Sequence, residues 1–123
     1  MTDPYEGGMR VRRAVLGDAH VDRAVAATDD FTAGFQDLIT RYAWGSVWAR
    51  PGLDLRTRSC ITLAMLAALG HDDELAMHVR AALRNGLTRA EISEVLLQVA
   101  VYAGAPAANS AYAVARRALD EDG

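Results

Sequence analysis

The sequence predicts an all-α fold of about six helices. Apolar residues recur at three- and four-residue spacings along most of the chain. Helix-starting and helix-stopping residues stand at the ends of those runs. No strand-like alternation competes with them. The chain has 123 residues, of which 51% are hydrophobic, enough for one small domain with its own core.

Residues 1–9 carry Pro4, Gly7 and Gly8 without a period and read as a mobile tail, leaving residues 10–123 as the domain. Asp18 is placed to cap a helix through about Thr28, with Val21, Ala24 and Val25 as its apolar stripe. Asp29 or Asp30 caps the next, patterned by Phe31, Phe35, Leu38, Ile39 and Tyr42. Arg41–Leu55 reads as a helix end followed by a loop, broken at Gly45, Pro51 and Gly52. Asp54 caps a helix over Leu55–Leu69 that is apolar on nearly every side from Ile61 onward and is therefore expected to be buried. Gly70 ends it. Asp72 or Asp73 caps a helix ending at Asn85–Gly86. Thr88 and Glu91 form a capping box, and the helix behind them turns Ile92, Val95, Leu96 and Val99 inward. An Ala-rich helix from about Pro106 to Leu119 closes the chain.

Composition narrows the function. A net charge of −3 with no basic run argues against a nucleic-acid partner. The apolar run Ile61–Leu69 is too short to span a bilayer, and no signal-peptide pattern opens the chain. The single cysteine, Cys60, has no internal disulfide partner, which fits a cytoplasmic setting. All thirteen basic residues are Arg. A chain without Lys cannot hold pyridoxal phosphate as an internal Schiff base.

The helix after Gly70 carries the densest set of ionisable candidates. His71, Glu74 and His78 fall at offsets of three and four residues, on one side of a helix. In one reading His78, oriented by Glu74, is a proton donor or oxyanion stabiliser. In the other it is a partly buried histidine satisfied by Glu74 and otherwise inert. As a metal site the trio has the wrong spacing for the H-E-x-x-H helix motif, so no metal is expected. Arg58, near the start of the apolar helix, suits an anionic ligand. Trp44 and Trp48 suit a core or a pocket wall. This much apolar surface on a small helical chain predicts a homo-oligomer.

Five runs carry a resemblance: RRAVLGDAHVDRA at Arg12–Ala24, FQDLITRYAWG at Phe35–Gly45, RPGLDLRTRSCITLAMLAALG at Arg50–Gly70, ELAMHVRAALRNGLT at Glu74–Thr88 and EVLLQVAVYAGAPAAN at Glu94–Asn109. The chain resembles the carboxymuconolactone decarboxylase family, within the alkylhydroperoxidase-D-like superfamily. The superfamily's peroxidases use a C-x-x-C pair followed by a His. Here those positions hold His71, Glu74 and His78, and the upstream acid is replaced by Ser59, so thiol peroxidase activity is disfavoured. The resemblance implies the superfamily's helical fold, a trimer or hexamer, and cofactor-free decarboxylation of 4-carboxymuconolactone to β-ketoadipate enol-lactone and CO2 in protocatechuate catabolism. It implies an anionic lactone as the small-molecule partner, with a related lactone or a non-catalytic oligomer as the alternatives. His78 and Glu74 become the catalytic candidates. Arg58, Trp44, Trp48, His20 and His71 become the substrate-binding ones, with His20 and the Arg10–Arg13 segment expected to complete a neighbouring subunit's pocket.

Overall fold

A computed structural model of the chain describes residues 3–122, and every regular element among them is helical. Seven α-helices and one π-helical segment are present: α1 (Pro4–Leu16), α2 (Asp18–Ala27), α3 (Ala33–Ile39), the π-helix (Thr40–Trp48), α4 (Leu55–Leu69), α5 (Asp72–Arg84), α6 (Arg89–Ala103) and α7 (Ala105–Asp122). No helix among the described residues is long and apolar enough to cross a membrane. The chain divides into two compact units, Met1–Asp54 and Leu55–Gly123. The sequence suggested a single domain from residue 10 onward; the boundary falls just beyond its Pro51–Gly52 break.

In the first unit, α1 packs mainly on the π-helix. Residues 4–9, expected to be a mobile tail, are the opening turns of α1; Met1 and Thr2 lie outside the described residues. The Asp3 side chain accepts a hydrogen bond from the Tyr5 backbone N–H at 3.0 Å, and Pro4 stands in the first turn. Both are helix-starting devices. Gly8 is not a breaker here but a contact point. A Cβ on Gly8 would meet the Thr40 carbonyl oxygen and lie 2.8 Å from the Gly45 backbone nitrogen, and a Cβ on Gly45 would meet the Pro4 carbonyl. Two glycines thus let two helical backbones touch.

Gly45 was also expected to end a helix. The chain instead continues through it in the wider π form to Trp48. The Thr40 hydroxyl donates to the Gln36 carbonyl at 2.7 Å, a back-bond that competes with the regular ladder where the form changes. The stripe Phe31, Phe35, Leu38 and Tyr42 is exposed, Phe31 at 94%. Helical spacing identified that stripe, but not which way it faces.

The second unit is a four-helix packing. Helix α4 lies against α5, α6 and α7, and α7 lies against α5 and α6. Leu63, Ala67, Leu75, Val79, Ile92 and Leu96 form its centre. The Thr88–Glu91 capping box forms as expected, at 3.1 and 2.9 Å. Ile92, Leu96 and Val99 point inward, with Val95 packed at the edge of the core. His71, not Asp72 or Asp73, occupies the N-cap of α5, and Gly17 rather than Asp18 that of α2. The acids sit one position later, in first turns where the helix dipole favours them. Helix α4 is only partly enclosed. Ser59, Leu63 and Ala67 are buried, whereas Ile61, Met65 and Leu69 are about half exposed or more. An all-round apolar sequence demands burial, but this unit supplies cover for one face.

Replacing Gly8 with Ala should destabilise the chain by about 1–3 kcal/mol or more, because the new methyl meets backbone rather than a movable side chain. Gly34→Ala, where the added methyl meets nothing, should leave stability unchanged or slightly raised. Thermal denaturation of the two variants side by side measures the difference.

Candidate active site

Helix α5 is amphipathic, with Leu75, Val79 and Ala82 buried. His78 falls in the same stripe, at three residues from Leu75 and four from Ala82, and is 7% exposed. A polar residue inside an apolar stripe is the informative kind of burial. Its side chain is engaged with other groups. Imidazole is the side chain suited to moving a proton near neutrality.

The other members of the trio are placed differently. Glu74 is exposed and makes no hydrogen bond or ion pair among the described residues, so it does not anchor the His78 ring as the four-residue spacing suggested. It stands at the solvent edge of the stripe, where a long side chain stays hydrated. His71 is exposed at the helix start. No group of three or more His, Cys, Asp or Glu among the described residues is placed to hold a metal ion.

Arg58 lies near the start of α4, half-buried, with its Nε shielded from solvent, and is engaged with other groups. Its neighbour Ser59 is 1% exposed and accepts a hydrogen bond from Asn85 Nδ2 at 2.8 Å. That bond ties the beginning of α4 to the end of α5, the two helices that carry Arg58 and His78. Sequence reasoning passed over Ser59 as a site residue, noting it only where an acid is missing. The available signal was its place on the inward stripe Ser59–Leu63–Ala67, at four-residue steps. Cys60 is a free thiol, partly buried against the core.

The remaining candidates belong to the first unit. Trp44 is buried and stacks on Trp48, with ring centroids 5.0 Å apart and planes at 30°, a favourable offset geometry. His20 is half-buried on α2. The structure thus groups His78, Glu74, His71 and Arg58 on α4 and α5, and pairs the two tryptophans in the π-helix.

The chain matches the carboxymuconolactone decarboxylase family over residues 33–117. It belongs to that family. A protein of Acinetobacter baylyi named 4-carboxymuconolactone decarboxylase is 47% identical over 119 residues, which cover 97% of this chain and 89% of the relative. A Metarhizium robertsii protein named nitrosuccinic acid decarboxylase is 40% identical over 95% of this chain and 82% of its own length. A Pseudomonas putida 4-carboxymuconolactone decarboxylase is 61% identical over 41 residues, 33% of this chain and 85% of the relative. The family match spans both units: it takes in Trp44 and Trp48, and then Arg58 to His78.

Asn85→Ala removes the donor to a buried hydroxyl. It should lower stability by about 1–3 kcal/mol, and Ser59→Ala in the same background should restore part of that loss. A double-mutant cycle in urea measures the coupling.

Proposed function

We propose that the chain is a 4-carboxymuconolactone decarboxylase, releasing CO2 and β-ketoadipate enol-lactone. The observation that carries this is the 47% identity, over 97% of the chain, to a relative of that name. The burial of His78 in the apolar stripe of α5 supports it.

The chemistry fits these residue types. The substrate is a five-membered unsaturated lactone with two carboxylates. The departing carboxylate sits on the ring carbon that bears the ring oxygen. When that C–C bond breaks, CO2 leaves and the electron pair stays on the ring carbon. The adjacent C=C passes it to the lactone carbonyl, giving an aromatic 2-oxyfuran anion. The substrate carries its own electron sink. One proton then adds to the carbon α to the carbonyl, which fixes the double bond in its new position and restores the neutral ring.

The protein has three tasks: to hold the retained carboxylate, to meet charge growing on the lactone oxygen, and to deliver that proton. In this reading His78 supplies the N–H for the second or third task and recovers its proton from solvent. Arg58 meets the retained carboxylate, since a guanidinium forms paired hydrogen bonds with it. Trp44 stacked on Trp48 offers an apolar surface within the first unit. Glu74 acts only through its field, across solvent.

The nitrosuccinic acid decarboxylase relative favours a broader reading of the same chemistry. Nitrosuccinic acid is also a dicarboxylic acid, and loss of the carboxylate beside its nitro group leaves an electron pair that the nitro group accepts. A site that binds one carboxylate and lets another leave next to a built-in sink serves both molecules. Self-association belongs to the same proposal. The exposed stripes Ile61–Met65–Leu69 and Phe31–Phe35–Leu38 are the surfaces a trimer or hexamer would cover, and the sedimenting mass should be three or six times that of the chain.

The direct test generates 4-carboxymuconolactone in situ and follows CO2 with and without the protein. Rapid release is expected, with nitrosuccinate turned over more slowly. No acceleration by a folded protein would overturn the assignment. His78→Ala should lower turnover by about 100-fold or more. Glu74→Gln should lower it by about tenfold or less, as exposed charges are well screened.

A further inference from the structure

Arg12 is 5% exposed, yet among the described residues no carboxylate is paired with it. Its Nη1 donates to the Thr40 hydroxyl at 3.2 Å and its Nη2 to Gln36 Oε1 at 3.0 Å, both neutral acceptors. Its Nε is buried without a hydrogen bond. Burial holds its pKa below the ordinary guanidinium value, with Tyr5 opposing that effect and Arg13 adding to it. Arginine nonetheless keeps its proton at any physiological pH. The nearby acids are committed elsewhere. Asp37 gives both oxygens to Arg41 Nε, at 3.0 and 3.1 Å, and Asp18 and Asp22 pair with Arg13.

A strut between helices would not need this arrangement. A buried cation held only by neutral groups is costly, and a glutamine could bridge to Thr40 without it. Beside Arg12 is a cavity of about 450 Å³, within the range that holds small organic ligands. Arg12, Gln36 and Thr40 line it, with Tyr5, Met9, Val25 and the Asp37 carboxylate, itself paired with Arg41, as further wall. Donors are in excess. Gln36 spends its oxygen on Arg12, which leaves its N–H groups for another acceptor, and the Arg12 Nε–H has no acceptor of its own.

We propose that this cavity is a binding site for a small organic carboxylate, received by Arg12 and the Gln36 amide with its hydrocarbon part against Met9 and Val25. The anion supplies the missing negative charge beside Arg12 and accepts from the Gln36 amide N–H groups. The inference stands on the cavity and its donors and does not depend on the decarboxylase reading.

The test titrates the intact chain with butanoate at constant ionic strength, using butanamide and chloride as controls. The readouts are melting temperature and the NMR signal of the Arg12 Nε–H. Butanoate should give a saturable change that neither control gives. Gln36→Glu places a carboxylate on Arg12 from within the chain. It should raise the melting temperature and weaken butanoate binding by about tenfold or more. Gln36→Ala should weaken binding without that rise. An absent or unsaturable response in the wild-type chain, or undiminished affinity in Gln36→Glu, would overturn the proposal. Turnover then separates two sources of the carboxylate. Competition between butanoate and 4-carboxymuconolactone that Gln36→Glu abolishes marks the Arg12 cavity as a holder of the substrate's own carboxylate, and unaltered turnover marks a separate site. Because binding is read without turnover, a failed decarboxylation assay leaves this result standing.

Discussion

Leu75, Val79 and Ala82 have almost no exposed surface, and His78 stands in line with them on the same face of α5. Each large apolar side chain in that stripe contributes about 1.5–3 kcal/mol through burial, so the stripe must face inward. His78 is carried in with it. The rest of the second unit answers that orientation. Helices α4 and α7 close over the stripe, and the Asn85–Ser59 bond ties the end of α5 to the start of α4. The candidate catalytic group is therefore held by packing, not by the carboxylate four residues before it. A ring held that way has little freedom to choose another rotamer, which suits a group that must meet a substrate atom at a fixed place.

The first unit is built on a different constraint, the approach of two backbones at Gly8 and Gly45. Arg12 follows Gly8 at four residues, on the same face of α1, and it too meets Thr40. It is buried beside a cavity, with neutral partners alone. It contrasts with Arg13, one position on, which is paired twice with carboxylates near solvent and whose pKa is raised, chiefly by its hydrogen bond to Asp22.

The proposed chemistry asks little of the protein beyond position and charge. A lactone that accepts its own electron pair leaves the enzyme to bind carboxylates, hold an N–H near a developing oxyanion and move one proton. A chain with no lysine and one cysteine has side chains for those tasks. The two relatives named as decarboxylases of different acids are consistent with a scaffold that specifies the step more tightly than the molecule.

Most of the helices were legible in the sequence because their signals are local. The Thr88–Glu91 box, the glycines at 70, 86 and 104 with positive φ, and the inward residues of α6 all act within a few residues of themselves. Family membership was legible too, from runs spread over nearly the whole chain. What the sequence by itself determined was thus the helical class, the main boundaries and the candidate His78. What only the tertiary structure decided was direction and partnership. The Phe31–Tyr42 stripe and the Ile61–Leu69 stripe have the period of core faces and yet are exposed, because period says which residues share a face and not what covers it. Glycine at 8 and 45 marks a contact rather than a break, because its meaning depends on a helix distant in the chain. Glu74 stays in solvent although its spacing from His78 permits a bond. Arg12 reads as one more surface arginine until Thr40 and Gln36, some thirty positions away, are brought against it.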